Sequence, residues 1–245
     1  MPIQAVEPQR LYRRIAEQIA RLIKRGEYKP GERLPPERDL ATMLKVSRPS
    51  VREALIALEV EGYVDVRVGS GVYVARGAGQ RSRARLPADS GPFELISARR
   101  LLESECAALA AKHATPAHIK RMHAALSAMI RDRRRNLMPL ENDRRFHLEM
   151  AEAGGNSALA LAVRTLWDQR TGPLFLQLEH HFDTPALWDA AIAEHQAVLG
   201  AIEARDATAA RATMRRHMNQ AARRFQKSWT DRPGRPTRRR RNGVD

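Results

Sequence analysis

Asp143 and His147 stand four residues apart, a spacing that puts both side chains on one face of a helix. A carboxylate and an imidazole so placed can hold one divalent cation. His195, which follows Glu194, and His217 lie further along the chain in segments that also read as helical. One Asp and three His from three helices would form a ligand set if they met inside a bundle. Such a set suits Zn²⁺, and also Ni²⁺, Mn²⁺ or Fe²⁺, and leaves positions for a further ligand. Nothing local forces them to meet. Asp-x-x-x-His arises by accident, and a single histidine on a helix is more often a surface or satisfied core residue. On spacing alone both readings stand. His180 and His181 are adjacent, so they diverge on a helix and read as surface residues; His113, His118 and His123 have no partner pattern and read the same way.

A second group of residues suits nucleic acid. Ser47-Arg48-Pro49-Ser50-Val51-Arg52 opens a helix, with Ser47 a good N-cap. Arg48 and Arg52 are four apart and share a face. Arginine can bond O6 and N7 of guanine bidentately or clamp a phosphate, and the helix N-terminus itself attracts phosphate. Arg38, on the preceding helix, is within reach of the backbone or a base edge. Downstream, Gly69-Ser70-Gly71 sits between two alternating stretches and reads as the tip of a hairpin whose backbone can approach a minor groove.

These residues need elements to position them. Leu11, Ile15, Ile19, Leu22 and Ile23 recur at helical spacing up to Gly26. Lys29-Pro30-Gly31 is a turn, Pro35-Pro36 opens a short helix carrying Leu40 and Leu44, and Val46-Ser47 breaks before the helix of Val51, Leu55 and Leu58. Residues 63–68 and 72–74 alternate like strands. The expectation for 8–76 is three helices and a β-hairpin wing, a winged helix-turn-helix. Residues 77–92 are rich in Gly, Arg and Pro and read as a linker. From 93 to 228 the pattern is all helix, near 94–113, 116–134, 139–153, 156–179, 185–204 and 206–228, with Gly172-Pro173 placed to kink or split the fourth. Short connections imply an antiparallel bundle of six to seven helices. The tail, 229–245, is basic, of low complexity, and reads as disordered. The fold class is therefore mainly α. Phe93, Trp167, Phe175 and Trp188 can line a pocket, although aromatic side chains in bundles are usually core.

Composition sets the bounds. The net charge of +15 favours a polyanionic partner. It is spread, about +4 in residues 1–76 and about +4 in the last fifteen, so it does not locate the binding face. The basic tail can add unspecific DNA affinity or be a solvated end. No apolar run is long enough to cross a bilayer, MPIQAVEPQR lacks the apolar core of a signal peptide, and the single cysteine, Cys106, excludes an intrachain disulfide. These point to a cytoplasmic protein with no membrane partner. Cys106 lies among Ala and Leu and reads as a small buried residue rather than a nucleophile.

The stretch Leu11–Ala75 resembles the DNA-binding domain of the GntR family. The resemblance rests on Lys29-Pro30-Gly31-Glu32-Arg33-Leu34-Pro35-Pro36-Glu37-Arg38-Asp39-Leu40-Ala41, on Val46-Ser47-Arg48-Pro49-Ser50-Val51-Arg52-Glu53-Ala54-Leu55, and on Gly69-Ser70-Gly71-Val72-Tyr73-Val74. Pro36 stands where the family usually has serine. The resemblance implies that Arg38, Arg48, Ser50, Arg52 and Gly71 contact DNA. Residues 93–228 resemble the FCD domain of the FadR-like branch, through Arg99, Leu102-Glu103, Asp143-Arg144-Arg145-Phe146-His147, Glu194-His195 and Met214 to His217. That resemblance implies a divalent metal on Asp143, His147, His195 and His217, zinc first among the choices, anchoring a small carboxylate effector. Arg99 takes the place of the motif arginine, free to pair the effector carboxylate or to remain an exposed helix arginine. It further implies a homodimer reading an inverted-repeat operator, most simply as a repressor. Two other readings use the same ligands: a sensor for which the metal is itself the signal, and a metal-dependent hydrolase. The hydrolase lacks a general base, since Glu194 faces away from the direction of His195.

Overall fold

In the first unit, helix α1 (Leu11–Lys24) buries Tyr12, Ile15, Ala16, Ile19, Ala20 and Ile23 along one stripe. It stops where Gly26 takes φ +79°, and the Gly26 and Glu27 amides bond back to the carbonyls of Ile23 and Leu22. Helix α2 (Glu37–Leu44) begins one residue after Pro36 and ends on left-handed Lys45. Helix α3 (Arg48–Val60) follows Ser47, whose hydroxyl accepts from the Ser50 amide at 3.3 Å. Its middle, Val51 to Leu58, is buried without interruption. Strands β1 (Val64–Arg67) and β2 (Gly71–Val74) pair antiparallel with Arg67 opposite Gly71. The protein is described here by a computed structural model covering residues 10–78, 90–182 and 184–226.

The wing differs from its sequence reading in two ways. Residues 31–34 also pair with β2: the Gly31 amide donates to the Val74 carbonyl at 2.8 Å and Leu34 to Val72 at 2.9 Å. The segment carries Pro30 and Pro35 on either side, which hides this isolated bridge from a periodicity reading. Gly71, expected at the tip, instead opens β2 and is buried. Its φ is +124°, and a Cβ there would lie 2.6 Å from Arg33 Nε. The position needs glycine because Arg33 lies across it, and the tip is made by Val68, Gly69 and Ser70.

The second unit is all helix, with the elements α4 (Pro92–His113), α5 (Pro116–Arg134), α6 (Leu140–Ala153), α7 (Ser157–Asp168), α8 (Pro173–Phe182), α9 (Pro185–Glu203) and α10 (Ala207–Gln226). A 3₁₀ turn, Gln169–Thr171, separates α7 from α8, so the fourth expected helix is split at Gly172-Pro173. The starts follow local chemistry: Thr115 and His118 form a capping box, Asn156 accepts from Ala158 and Leu159, and Thr184 accepts from Leu187. Helix α4 packs against α6, α7, α9 and α10. Its second half presents Cys106, Ala107, Ala108, Ala110 and Ala111 to them, all buried. Small side chains there let neighbouring helices approach closely, and burial pushes the Cys106 thiol up to about 12, which leaves no thiolate at neutral pH.

Among the described residues no helix is long and apolar enough to cross a membrane. The stretch 1–9, most of the 77–92 linker and the 229–245 tail lie outside the described residues; Pro92, the last linker position, already belongs to α4.

Candidate metal centre and nucleic-acid interface

Asp143 and His147 project from α6, His195 from α9 and His217 from α10. All four are buried, and one ligand atom from each lies within 4.8 Å of the others. His195 Nε2 is 3.0 Å from Asp143 Oδ1 and 3.1 Å from His147 Nε2, and His147 Nε2 is 3.6 Å from Asp143 Oδ1.

The opposite ring nitrogens decide what these atoms can do. His195 Nδ1 lies 2.7 Å from the carbonyl of Ala191, which can only accept. His147 Nδ1 donates to Glu103, and His217 Nδ1 donates to Glu194 at 2.8 Å. With each Nδ1 carrying the proton, neutral His147 and His195 turn their Nε2 lone pairs toward Asp143 Oδ1, and His217 keeps its Nε2 as the free ligand atom of the same cluster. Four acceptors crowded together in a buried place repel one another unless a cation or protons stand between them. The donor set therefore fits a divalent ion, with imidazole and carboxylate ligands oriented by carboxylate and carbonyl partners behind them.

The acid–base state follows from the same contacts. Without an ion, protons take its place: burial raises Asp143, but hydrogen bonds from His147 and His195, donated when Nε2 is protonated, outweigh it and hold its carboxyl well below the usual range. Glu103 is likewise lowered, burial being overcome by Arg99 and His147. Burial lowers His147, yet Glu103 and Asp143 carry it above an ordinary histidine. Burial, then the neighbouring His195 and His147, push His217 well down.

A cavity of about 40 Å³ adjoins the cluster, lined among others by Arg99, Asp143, Arg170, Trp188, His217 and Arg224. Arg99 is not an exposed helix arginine. It is 4 % exposed, bonds Glu103 at 2.7 Å and stacks 3.8 Å over Trp167. Trp167 in turn donates its indole N–H to Glu103 at 3.1 Å. Arg170, on the 3₁₀ turn, bonds Asp143 at 3.0 Å, pairs with Glu179 of α8, and lies against Trp167 and Phe175. Of the four aromatic residues singled out in the sequence, Phe175 and Trp188 line the cavity and Trp167 backs it; Phe93 is half-buried on α4.

The supporting residues Glu103, Arg170, Glu179 and Glu194 carry no role in the sequence reading. Glu103 had a visible signal, standing four residues after Arg99 and so on its face. Glu194, expected to face away from the direction of His195, holds His217 and Arg224. Of the histidines read as plain surface, His118 belongs to the α5 cap and His123 bonds Glu203 at 2.6 Å.

In the first unit Arg38 is exposed, its side chain 83 % accessible beside Asp39, and Arg48 is half exposed. Ser50 is half-buried, its hydroxyl 2.8 Å from that of Ser47. Arg52 departs from expectation. It is 1 % exposed and paired with buried Glu37 at 2.6 Å. Glu37 also takes Arg48 Nε at 3.0 Å. Arg48 and Arg52 share one helix face, but only the first turn of α3 stands clear of the core, so the second arginine is drawn inward to neutralise Glu37.

An exposed helix start behind a turn and a wing, together with an all-helical unit enclosing a ligand set, define a DNA-binding transcription regulator. Residues 11–74 match the family described as "Bacterial regulatory proteins, gntR family", and residues 94–220 match the FCD domain. The chain belongs to the gntR family of bacterial regulatory proteins. It is 40 % identical over 228 residues to the Uxu operon transcriptional regulator of Escherichia coli K12, spanning 90 % of this chain and 89 % of that one. It is 38 % identical over 224 residues to the Exu regulon transcriptional regulator of the same organism, spanning 88 % and 84 %. A putative L-lactate dehydrogenase operon regulatory protein of that organism is 31 % identical over 223 residues, spanning 87 % and 86 %. Among solved structures, E. coli McbR/YncC aligns with a TM-score of 0.49 at 22 % identity, over 89 % of this chain and 98 % of that one. The families and relatives are regulators, not enzymes, which sets aside the hydrolase reading.

Proposed function

We propose that this regulator is a repressor controlled by a small carboxylate metabolite, which it binds on a divalent metal held by Asp143, His147, His195 and His217. The observation that carries this reading is the convergence of four buried ligand atoms from three helices, each ring fixed from behind by an acceptor. Zinc suits three imidazoles and one carboxylate, with nickel, manganese and iron as alternatives. A metal so held supplies a Lewis-acid seat for a carboxylate oxygen. The chain's own residues do the rest: Glu103, Glu194 and the Ala191 carbonyl orient the rings, Asp143 balances charge, and Arg99, kept in place by Glu103 and Trp167, presents a cation to the cavity.

On the other unit, Arg48 and Ser50 stand at the start of α3, where a major groove would be entered, and Arg38 stands in the first turn of α2. Arg52 positions Glu37 and α3 from inside, and Gly71 permits the close approach of Arg33 to the wing. Reading an inverted repeat requires two copies, so the working form is a homodimer. Coupling requires that the effector bind the DNA-competent and DNA-incompetent states with different affinity.

The test is operator binding by the full-length protein on its own upstream DNA, followed by fluorescence anisotropy with zinc and with a set of carboxylic acids. The reading expects tight, salt-sensitive binding that a particular carboxylate relieves only when metal is present. Relief or induction by metal alone, unaffected by any acid, would identify a metal sensor instead. His195→Ala should lose the response to acid while retaining DNA binding.

A further inference from the structure

The outer face of the wing gathers two cations in one place. Along β1 and β2 the side chains of Val64, Val72 and Val74 are buried, so Asp65, Arg67, Gly71 and Tyr73 take the opposite face. Arg67 and Gly71 are direct cross-strand partners. A side chain at position 71 would stand beside that of Arg67. The Arg33 guanidinium takes that place: its Nε, Nη2 and Cζ lie 2.6, 3.1 and 3.2 Å from where a Cβ would be. Arg33 comes from the stretch ahead of α2 and bridges to Tyr73. The Arg67 guanidinium lies over the Tyr73 ring, 4.4 Å from its centroid, and the hydroxyls of Tyr73 and Ser70 are 2.8 Å apart.

Like charges set across from one another on a sheet repel. Elsewhere in this unit Arg13, Arg38, Arg48 and Arg52 each meet a carboxylate. Arg33 and Arg67 are exposed, and neither has an ion pair among the described residues. Glu32, beside Arg33 in sequence, accepts instead from the Lys29 amide at 2.8 Å. Both guanidinium groups are nonetheless held in place, Arg67 by its stack on Tyr73 and Arg33 by the gap that Gly71 leaves. Their N–H edges are set before a partner arrives, which lowers the entropy lost on binding. Two fixed, adjacent guanidinium groups suit the oxygens of a phosphate. In a chain that binds DNA, the phosphate at hand is that of the duplex backbone.

We propose that Arg33 and Arg67 form a phosphate clamp on the outer face of the wing, which grips the backbone of the duplex that α3 enters. The clamp brings into DNA binding a residue, Arg33, that belongs neither to the recognition helix nor to the hairpin. Gly71 then acts by making room for that arginine. A phosphate carries no base identity, so the clamp adds affinity and salt dependence equally on any sequence and leaves discrimination to α3. Asp65, the one carboxylate of β1 and β2, shares this face and opposes the clamp. The inference needs only DNA binding and is independent of the metal and its ligand.

The experiment measures fluorescence anisotropy of the full-length protein on two labelled duplexes of equal length, its own upstream DNA and a shuffled version, between about 50 and 200 mM NaCl. Arg33→Gln and Arg67→Gln should each weaken binding to both duplexes by the same factor, about tenfold near 0.1 M salt, and flatten the log–log salt slope by about one. Arg33→Lys and Arg67→Lys keep the charge and should keep the slope. Asp65→Asn should tighten binding to both duplexes about twofold. Damage to the fold produces no such gain, so this variant keeps the test decisive should a glutamine variant unfold. Unchanged slopes in the glutamine variants, a loss confined to the upstream duplex, lysine variants as flat as the glutamine ones, or no gain from Asp65→Asn would each overturn the proposal.

Discussion

Glu37 holds two arginines at different depths, and the difference separates what each can do. Arg48 is half exposed and free to exchange Glu37 for a phosphate or base edge; Arg52 is enclosed with it. Arg48→Ala should therefore abolish operator binding while changing stability by less than about 1 kcal/mol. Arg52→Ala strands a buried carboxylate and should cost about 3 kcal/mol or more, seen as a lowered urea midpoint, in addition to weakening DNA binding. A normal midpoint for Arg52→Ala would show that Glu37 is solvated. Behind the proposed metal ligands, Glu103 accepts from Arg99, His147 and Trp167. Glu103→Gln should reduce zinc affinity by about 10–100-fold, as expected for the partner of a ligating ring; unchanged affinity would leave Glu103 a packing residue only. The ligand types were legible because Asp143 and His147 share a helix face. The groups behind them were not, because Glu103 and Glu194 come from other helices and no spacing links them to the rings they hold. The inward turn of Arg52 was hidden for a related reason: sequence shows which face of α3 an arginine occupies, but not where that face dips beneath α2.

At the scale of elements, punctuation was the informative signal. Capping residues and prolines placed the starts of α5 and α9 within a residue, and Gly172-Pro173, read as a kink or a split, is where the fourth expected helix divides, since these residues act through bonds or sterics inside one turn. The pairing of residues 31–34 with β2 had no such signal, because it bridges a long stretch of sequence and the flanking prolines read as turns. Gly71 belongs to that hidden pairing. Gly71→Ala should lower stability by about 2 kcal/mol through its positive φ, with Arg33 also displaced. A midpoint unchanged in denaturant would mean that β2 relaxes to an ordinary backbone there.

For the molecule as a whole, the buried charges link stability to pH and to metal. In metal-free protein, Asp143 and Glu103 titrate below ordinary carboxylates, so their contribution is complete above the unfolded carboxylate range of about 4 and is lost as pH falls from there through their lower folded values. The histidines oppose each other at higher pH. His147, raised, favours the fold below its unfolded value and loses that contribution as pH rises through its folded one; His217, lowered, favours the fold above its unfolded value. Thermal melts in EDTA should therefore vary little near pH 6.5 and fall steeply below about pH 4. Zinc should raise the melting temperature at pH 7.5 and lose that effect as protons compete for the rings. A zinc-induced rise that persists unchanged at pH 4 would place the ion elsewhere.

The Glu37–Arg52 pair also bears on how the protein responds to ionic strength. Salt sensitivity in duplex binding counts the counterions displaced when free cationic side chains reach phosphate. Arg52 already has its anion within the fold, so it displaces none. The salt slope of operator binding should thus be shallower than the tally of basic residues around α3 suggests, and Arg52→Ala should leave that slope nearly intact even as it weakens the complex.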